Sequence, residues 1–151
     1  MMLGGFSKFP EALKDLIDTQ DFGETISVER KTFVITQDDA DSLLRCFVVP
    51  ISDAIRSGTR AQAGHDWTLG VFVIEKLNVS NSTEKQARED ELLLVTDKVM
   101  AYVDSLEYLE VEGAKYPITI VTDDTRIPVD PEAYVESRSY VSYFTVIVRE
   151  G

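Results

Sequence analysis

The chain has few of the residues that most often carry chemistry. Its 151 residues include one cysteine, one histidine and one tryptophan. A lone cysteine cannot close an internal disulfide, and Cys46 lies in the apolar run LLRCFVVP, so we expect a small buried hydrophobe rather than a nucleophile. Any Ser–His–Asp or Cys–His device would need His65, and no serine stands in a nucleophile-elbow setting.

Ligand-binding motifs are missing as well. Neither the GxxxxGK nor the GxGxxG phosphate loop occurs, and no paired ligand spacing typical of a zinc site accompanies His65 or Cys46. The sequence therefore predicts no catalytic residue, no metal ligand and no cofactor-binding residue, and favours a protein that is not an enzyme.

Positive charge and long apolar runs are scarce. The chain carries 15 Lys and Arg against 27 Asp and Glu, a formal net charge of −12. Because phosphate contacts need concentrated Lys and Arg, this balance excludes general binding to DNA or to an anionic membrane. No apolar stretch reaches the ~18 residues of a membrane span. The N-terminus lacks a basic region followed by a long hydrophobic core, so no signal peptide is predicted.

Acidic residues occur in clusters without a catalytic pattern. Asp38, Asp39 and Asp41 resemble part of a calcium loop, but the glycine at the bend and the distant bidentate Glu are missing, so a solvated turn is the better interpretation. Adjacent acids at 89–91 and 123–124 point in different directions on a helix or strand and do not converge on one substrate atom.

The feature that organises the chain is residues 83–109, TEKQAREDELLLVTDKVMAYVDSLEYL. Apolar residues recur there at helical spacing, which predicts one long amphipathic helix. Thr83 and Gln86 fit a capping box at its start. The predicted apolar stripe comprises Leu92, Val95, Val99, Val103 and Leu106, widened by Leu93 and Met100.

The rest of the chain predicts one short helix and five strands. The helix is expected at 9–20, and the strands at 26–35, 43–51 (ended by Pro50), 67–76, 116–127 and 137–149. The strand at 43–51 is nearly continuous in apolar residues and should be covered on both faces or lie at a subunit contact. The strand at 67–76 should have a second face that is partly buried, and the strand at 137–149 is apolar on both faces and should be central or at an interface. With 44% hydrophobic residues, these elements predict a single domain over residues 1–151. Its fold class is α+β, a mostly antiparallel sheet with the long helix and the short N-terminal helix packed on one face.

The connection at 53–64, DAIRSGTRAQAG, contains Arg56, Arg60 and two glycines. It is either a projecting arm that makes contacts or an ordinary hairpin connection. Long loops in small domains are often functional, so both interpretations stay open.

The order of these segments resembles the tail-terminator and head–tail joining (neck) proteins of tailed bacteriophages. The resemblance covers most of the chain: an N-terminal helix, FVITQ, LLRCFVVPIS, a loop with Arg60, WTLGVFVIEKL, a helix that opens with AREDELLLVTDKV, and a last strand SYFTVIVRE. It lies in the order and spacing of the segments rather than in any one motif. The length of the loop and the proline-rich stretch 127–134 depart from the family's pattern.

The resemblance implies a structural role in the virion, assembled in the host cytoplasm. Similar proteins form a ring, usually of six copies, that caps the tail tube and joins it to the neck. The implied partners are copies of the chain itself, a tail tube protein and a neck or head completion protein, with DNA only as passing cargo and no membrane. An acidic lumen would repel phosphate and let DNA pass. On this reading the subunit or ring contacts would include Arg56, Ser57, Gly58, Arg60 and His65.

Two alternatives remain. The chain could be another neck or tail subunit, such as a head completion or tube-like protein. It could also be a small soluble enzyme or ligand-binding domain with a pocket between sheet and helix, which would be a monomer or dimer rather than a ring.

The two arginines of the loop provide a direct test. We expect the double variant Arg56→Glu/Arg60→Glu to lose ring assembly and tail attachment, because like charges would replace the cations that make the contact. Sizing of the purified chain and attachment to isolated tails would measure both effects. Unchanged assembly and attachment would remove these residues from the interface.

Overall fold

The fold is built on a six-stranded sheet with two helices, which confirms the α+β class. The structure is a computed structural model that describes residues 4–32, 43–56, 64–77, 82–121 and 139–151. The elements are α1 (Gly5–Asp18), β1 (Ser27–Arg30), β2 (Arg45–Arg56), β3 (Gly64–Lys76), α2 (Ser82–Ser105), β4 (Tyr108–Val111), β5 (Ala114–Ile120) and β6 (Ser139–Glu150). The predicted acidic turn at 38–41 and the proline-rich stretch lie outside the described residues.

The strand order in the sheet is β1-β2-β3-β6-β5-β4. β1 and β2 are parallel, with Ser27 opposite Arg45 and Arg30 opposite Val48. The other described pairs, β2–β3, β3–β6, β5–β6 and β4–β5, are antiparallel. β3 pairs along nearly its whole length with β2 on one side and β6 on the other, so it is the central strand of the fold.

Both helices pack on one face of the sheet, which we call the helix-facing side. α1 buries Phe9, Leu13 and Ile17, and α2 buries most of its predicted stripe. The strands contribute alternate residues to the same core, including Cys46, Val48, Leu69, Val71, Val73, Phe144, Val146 and Val148. Burial raises the pKa of the Cys46 thiol to about 12, as expected of an inert core cysteine.

The opposite face of the sheet is apolar too. Phe47, Val49, Ile74 and Val141 form a second cluster with Phe72 packed against it. The two-sided apolar character predicted for the strands at 43–51 and 137–149 is therefore present in β2 and β6, and the second face of β3 is partly buried as predicted. However, Phe47 and Val49 are 0% and 2% exposed within the single chain. A neighbouring copy is not needed to cover this part of the face.

Pro50 does not end the second strand as predicted, because a bulge carries β2 past it. The register with β3 shifts between Pro50 and Ser52. On the other edge, the Lys31 N–H donates to the Val48 carbonyl at 3.0 Å, and no described pairing with β1 follows it. Pro50 is the next residue to face that edge, and it has no N–H to offer, so a proline and a bulge mark where β2 loses its outer neighbour.

The predicted end of the long helix is wrong by one turn. An additional hairpin that was not predicted follows the helix. α2 ends at Ser105, and Leu109 is buried in β4 instead. β4 and β5 are joined at Glu112 and Gly113, whose φ angles of 53° and 84° fit the two-residue type I′ turn of a tight hairpin. At the other end, α2 begins at Ser82, so Thr83 lies inside the first turn rather than at the N-cap.

Arg88 ties the start of α2 to the sheet. Its guanidinium donates to both carboxylate oxygens of Glu75 at 2.8 and 2.7 Å, and to Glu24 and Glu91. Glu75 is buried, whereas Glu91 is exposed. The hydrogen bond to Glu75, with those to Glu91 and Glu24, raises the pKa of Arg88 against the opposing effect of burial.

Loss of this arginine should destabilise the fold. Arg88→Met leaves the buried Glu75 carboxylate without its cation, and we expect the free energy of unfolding to fall by about 2–3 kcal/mol. Urea unfolding followed by Trp67 fluorescence measures the change. Glu91→Gln is the matched control, because it removes only an exposed partner and should cost less than about 1 kcal/mol. Equal losses in the two variants would contradict the role given to Glu75.

Candidate functional site

The candidate site is the far part of the β2–β3 pair, residues 52–56 and 64–67, which we call the hairpin end. It contains Arg56 and His65, two of the five predicted contact residues. Residues 53–56 and Gly64 of the loop predicted at 53–64 are strand, and His65 lies in β3 rather than at a loop edge. The other predicted contact residues, Ser57, Gly58 and Arg60, lie outside the described residues.

Large apolar side chains are exposed on and beside the hairpin end. Ile55 is 68% exposed and Ile51, at the bulge, is 49% exposed. Beyond Val48, none of the described strands pairs with the outer edge of β2. Exposed aliphatic side chains are a feature of contact surfaces.

A row of aromatic side chains lies next to Ile55 on the helix-facing side of the sheet. Ile55 is opposite His65 in the register. The His65 ring stacks on Trp67 with centroids 5.3 Å apart and planes 15° from parallel. Phe6, which is 48% exposed, meets Trp67 edge to face at 4.8 Å. Gly5 allows this approach, because a Cβ at that position would lie only 2.4 Å from the indole.

Asp53 fixes the orientation of His65. Its carboxylate oxygens lie 2.8 and 3.0 Å from Nδ1 of the imidazole. This contact leaves Nε2 as the ring nitrogen that could meet a partner. Within the residues that the structure describes, no group of three or more His, Cys, Asp or Glu side chains is placed to hold a metal ion.

Trp67 and Lys8 both bind the carboxylate of Glu150. The indole Nε1 donates to Oε1 at 3.2 Å and the Lys8 ammonium to Oε2 at 2.9 Å. Burial acts to raise the pKa of Glu150, but the hydrogen bonds from Lys8 and Trp67 outweigh it and the pKa lies below its usual value. The hydrogen bond to Glu150 raises the pKa of Lys8 in turn. This carboxylate joins α1, β3 and β6 at the base of the hairpin end.

A groove of about 410 Å³ runs between α1 and the β4–β5 turn. We call it the acidic groove. Its floor is apolar, its rims are carboxylates, and Lys8 stands at one end. The lining residues are Lys8, Glu11, Ala12, Asp15, Leu16, Thr19, Glu110, Val111 and Glu112.

Sequence reasoning missed both the Asp53–His65 pair and the acidic groove. The pair could have been found by extending the strands into the predicted loop, since Asp53 and His65 then become diagonal neighbours across the two strands. The groove is lined by residues about 100 positions apart, so no local sequence pattern indicates it. One side of it is the β4–β5 hairpin, which was not predicted.

No family model and no curated protein matches the chain. One protein of known structure, designated only by a reference number, is similar over 94% of this chain and 91% of its own, with 13% identity and a TM-score of 0.38. A likeness at this level carries no argument about the chain. No helix in the described part combines the length and the apolar character needed to cross a bilayer.

The Lys8–Glu150 pair should make stability depend on pH at both ends of the scale. The pKa of Glu150 is lowered in the folded state, so the ionised carboxylate stabilises the fold above pH 4.5, the usual pKa of the group. This stability is lost as the pH falls through the folded-state pKa. The pKa of Lys8 is raised in the folded state, so the ammonium stabilises the fold below pH 10.5, its usual pKa, and this stability is lost as the pH rises through the folded-state pKa. Glu150→Gln should therefore lower the free energy of unfolding by about 1 kcal/mol near pH 7 and by less at either extreme.

Urea unfolding followed by circular dichroism, at about pH 3, 7 and 11, measures this dependence. Glu84→Gln, an exposed acid in the first turn of α2, is the control for removing one carboxylate. A loss that is the same at all three pH values would mean that Glu150 acts through packing and not through its charge.

Proposed function

We propose that the chain is a ring-forming structural protein of a phage virion, placed where the tail tube meets the neck. The observation that supports this most is the hairpin end, where the side chain of Ile55 is 68% exposed. This is also where the family resemblance puts the contacts between subunits. An exposed aliphatic side chain of this kind is typical of a surface that contacts another protein.

The architecture suits this role. A mostly antiparallel sheet carries the long helix and the short N-terminal helix on one face, and Trp67 joins the hairpin end to the core between them. Ile55 is exposed and lies outside that core, so it can contact a second protomer without disturbing it. A patch on one protomer that meets a different patch on the next gives a head-to-tail contact, which forms a ring when the rotation closes.

The charge suits the passage of DNA. A net charge of −12 on each chain repels phosphate, so a ring of copies would let DNA through its centre without holding it. On this proposal the neighbours in the virion are a tail tube protein on one side and a neck or head completion protein on the other.

The mass of the purified chain tests the proposal. We expect light scattering to give a mass several-fold above the 17.0 kDa of one chain. Ile55→Lys should lower the assembled fraction at least about tenfold, because a charge would replace an apolar contact that is desolvated in the ring. Leu94→Lys is the matched control, since Leu94 is 55% exposed but lies on α2.

The outcomes are separable. A wild-type chain that keeps the mass of one copy at every concentration, with and without tail tubes, would overturn the ring. A ring that survives Ile55→Lys and is broken by Leu94→Lys would move the interface from the hairpin end to α2.

A further inference from the structure

We propose that His65 makes the contact at the hairpin end depend on pH, so that one copy binds the next when the imidazole carries two protons. This inference rests on the proposed function, because it concerns the regulation of the same contact surface. Three observations carry it: the place of the ring in the sheet, the partner of its Nδ1, and the acidity of the chain.

His65 lies in the middle of a row of three residues on the helix-facing side. Ile55 of β2 is opposite it on one side and Glu150 of β6 on the other. Ile55 is 68% exposed, and 30% of the His65 side chain is exposed as well. The imidazole therefore lies beside the exposed side chain on which the proposed contact depends.

Two contacts hold the imidazole in one orientation. The ring stacks on Trp67 with planes 15° from parallel, and a carboxylate oxygen of Asp53 lies 2.8 Å from Nδ1. Among the described residues, no hydrogen-bond partner faces Nε2. Nε2 is thus the ring nitrogen that a neighbouring copy can reach.

The carboxylate of Asp53 determines which nitrogen keeps the proton when the ring is neutral. An ionised carboxylate only accepts hydrogen bonds, so Nδ1 donates to Asp53 and Nε2 is left with its lone pair. Uptake of a second proton turns Nε2 into a donor. Protonation therefore reverses the hydrogen-bonding character of the nitrogen that meets the partner.

The charged groups that face His65 favour the doubly protonated ring. Asp53 from β2 and Glu150 from β6 are the carboxylates on its side of the sheet. From α1, Lys8 is paired with Glu150 at 2.9 Å. These three groups together carry one net negative charge, which an imidazolium neutralises.

The neighbouring copy is acidic, with a formal net charge of −12. Its surface offers many carboxylate and carbonyl acceptors, which a donor at Nε2 can bind and a lone pair repels. A less negative hairpin end also lowers the repulsion between two copies. Both effects strengthen the contact as the pH falls from about 8 to 5, the range in which histidine side chains take up a proton.

The assembly of the wild-type chain at two pH values tests the proposal. Uptake of one proton per contact raises the binding constant of that contact by at most about tenfold per pH unit. We expect the concentration at which half of the chains are assembled to fall at least about threefold between about pH 8 and pH 6. His65→Gln keeps a polar side chain without a titrating group, so its assembly should be the same at both pH values. Light scattering measures both proteins.

Two further variants separate the position of the proton from the charge. Asp53→Asn lets the neutral ring carry its proton on either nitrogen, so this variant should assemble nearly equally well at both pH values. Asp66→Asn is the matched control, because Asp66 follows His65 in β3 but points to the opposite face, where Arg149 lies 3.5 Å away. It removes one carboxylate from the hairpin end and should keep the pH dependence of the wild type.

The position of the proton can be measured without assembly. His65 is the only histidine of the chain, so nitrogen chemical shifts report on this ring alone. At about pH 8 they should place the proton on Nδ1 in the wild type and partly on Nε2 in Asp53→Asn. A wild-type proton on Nε2 would overturn the inference even where the ring forms.

The results distinguish this inference from the proposed function. A wild-type chain that assembles at no pH overturns the ring and its regulation together. A wild-type ring whose assembly is the same at about pH 8 and pH 6, or changes as much in His65→Gln, overturns the regulation and leaves the ring standing.

Discussion

The pairing of β3 with a strand on each side is the constraint on which the structure depends. β3 is matched residue by residue with β6 from His65 opposite Glu150 to Lys76 opposite Ser139. It therefore fixes the hairpin end to the body of the sheet as far as its last described residues. The carboxylate of Glu150 reinforces this point, because it holds both Trp67 and Lys8 and so locks α1 against the same corner. A contact surface held this firmly loses little conformational freedom when it binds.

Charge decides how such a chain can associate. With a formal net charge of −12, two copies repel each other at long range, and only a local reversal of sign can bring them together. The arginines at 56 and 60 are such a local reversal of sign in the sequence. The same general repulsion protects against unspecific self-association.

The parts of the fold that follow a regular period were predictable. The apolar stripe of α2 and the alternation in β3 and β6 repeat over many residues, and burial along those elements follows the repeats. Single-residue events were not predictable in the same way. Pro50 is a strong signal for the end of a strand, but β2 continues past it, because Pro50 faces the edge away from β3, where its missing N–H breaks no bond of that pair, and a bulge at Ile51 follows. The apolar Leu106 and Leu109 continue the helical stripe, so the sequence alone could not separate β4 from α2.

The predicted contact residues were likewise predictable only in part. The location of the hairpin end could be predicted from composition, since glycines and arginines gather there. Its chemistry could not, because the Asp53–His65 contact and the stacking on Trp67 depend on which residues share a face of the sheet. That assignment changes with every one-residue shift in register. The acidic groove forms where α1 packs beside a hairpin about 100 residues later in the chain. It therefore depends on tertiary packing and not on a local sequence pattern.

The bulge in β2 also affects the orientation of the hairpin end. A bulge increases local twist and bends its strand, so it turns the hairpin end relative to the rest of the sheet. If copies join through the hairpin end, this turn contributes to the rotation that relates one copy to the next. The rotation, rather than the strength of the contact, decides whether a head-to-tail assembly closes and with how many copies. On the proposal of a ring, the bulge after Pro50 would therefore influence the number of copies that close it.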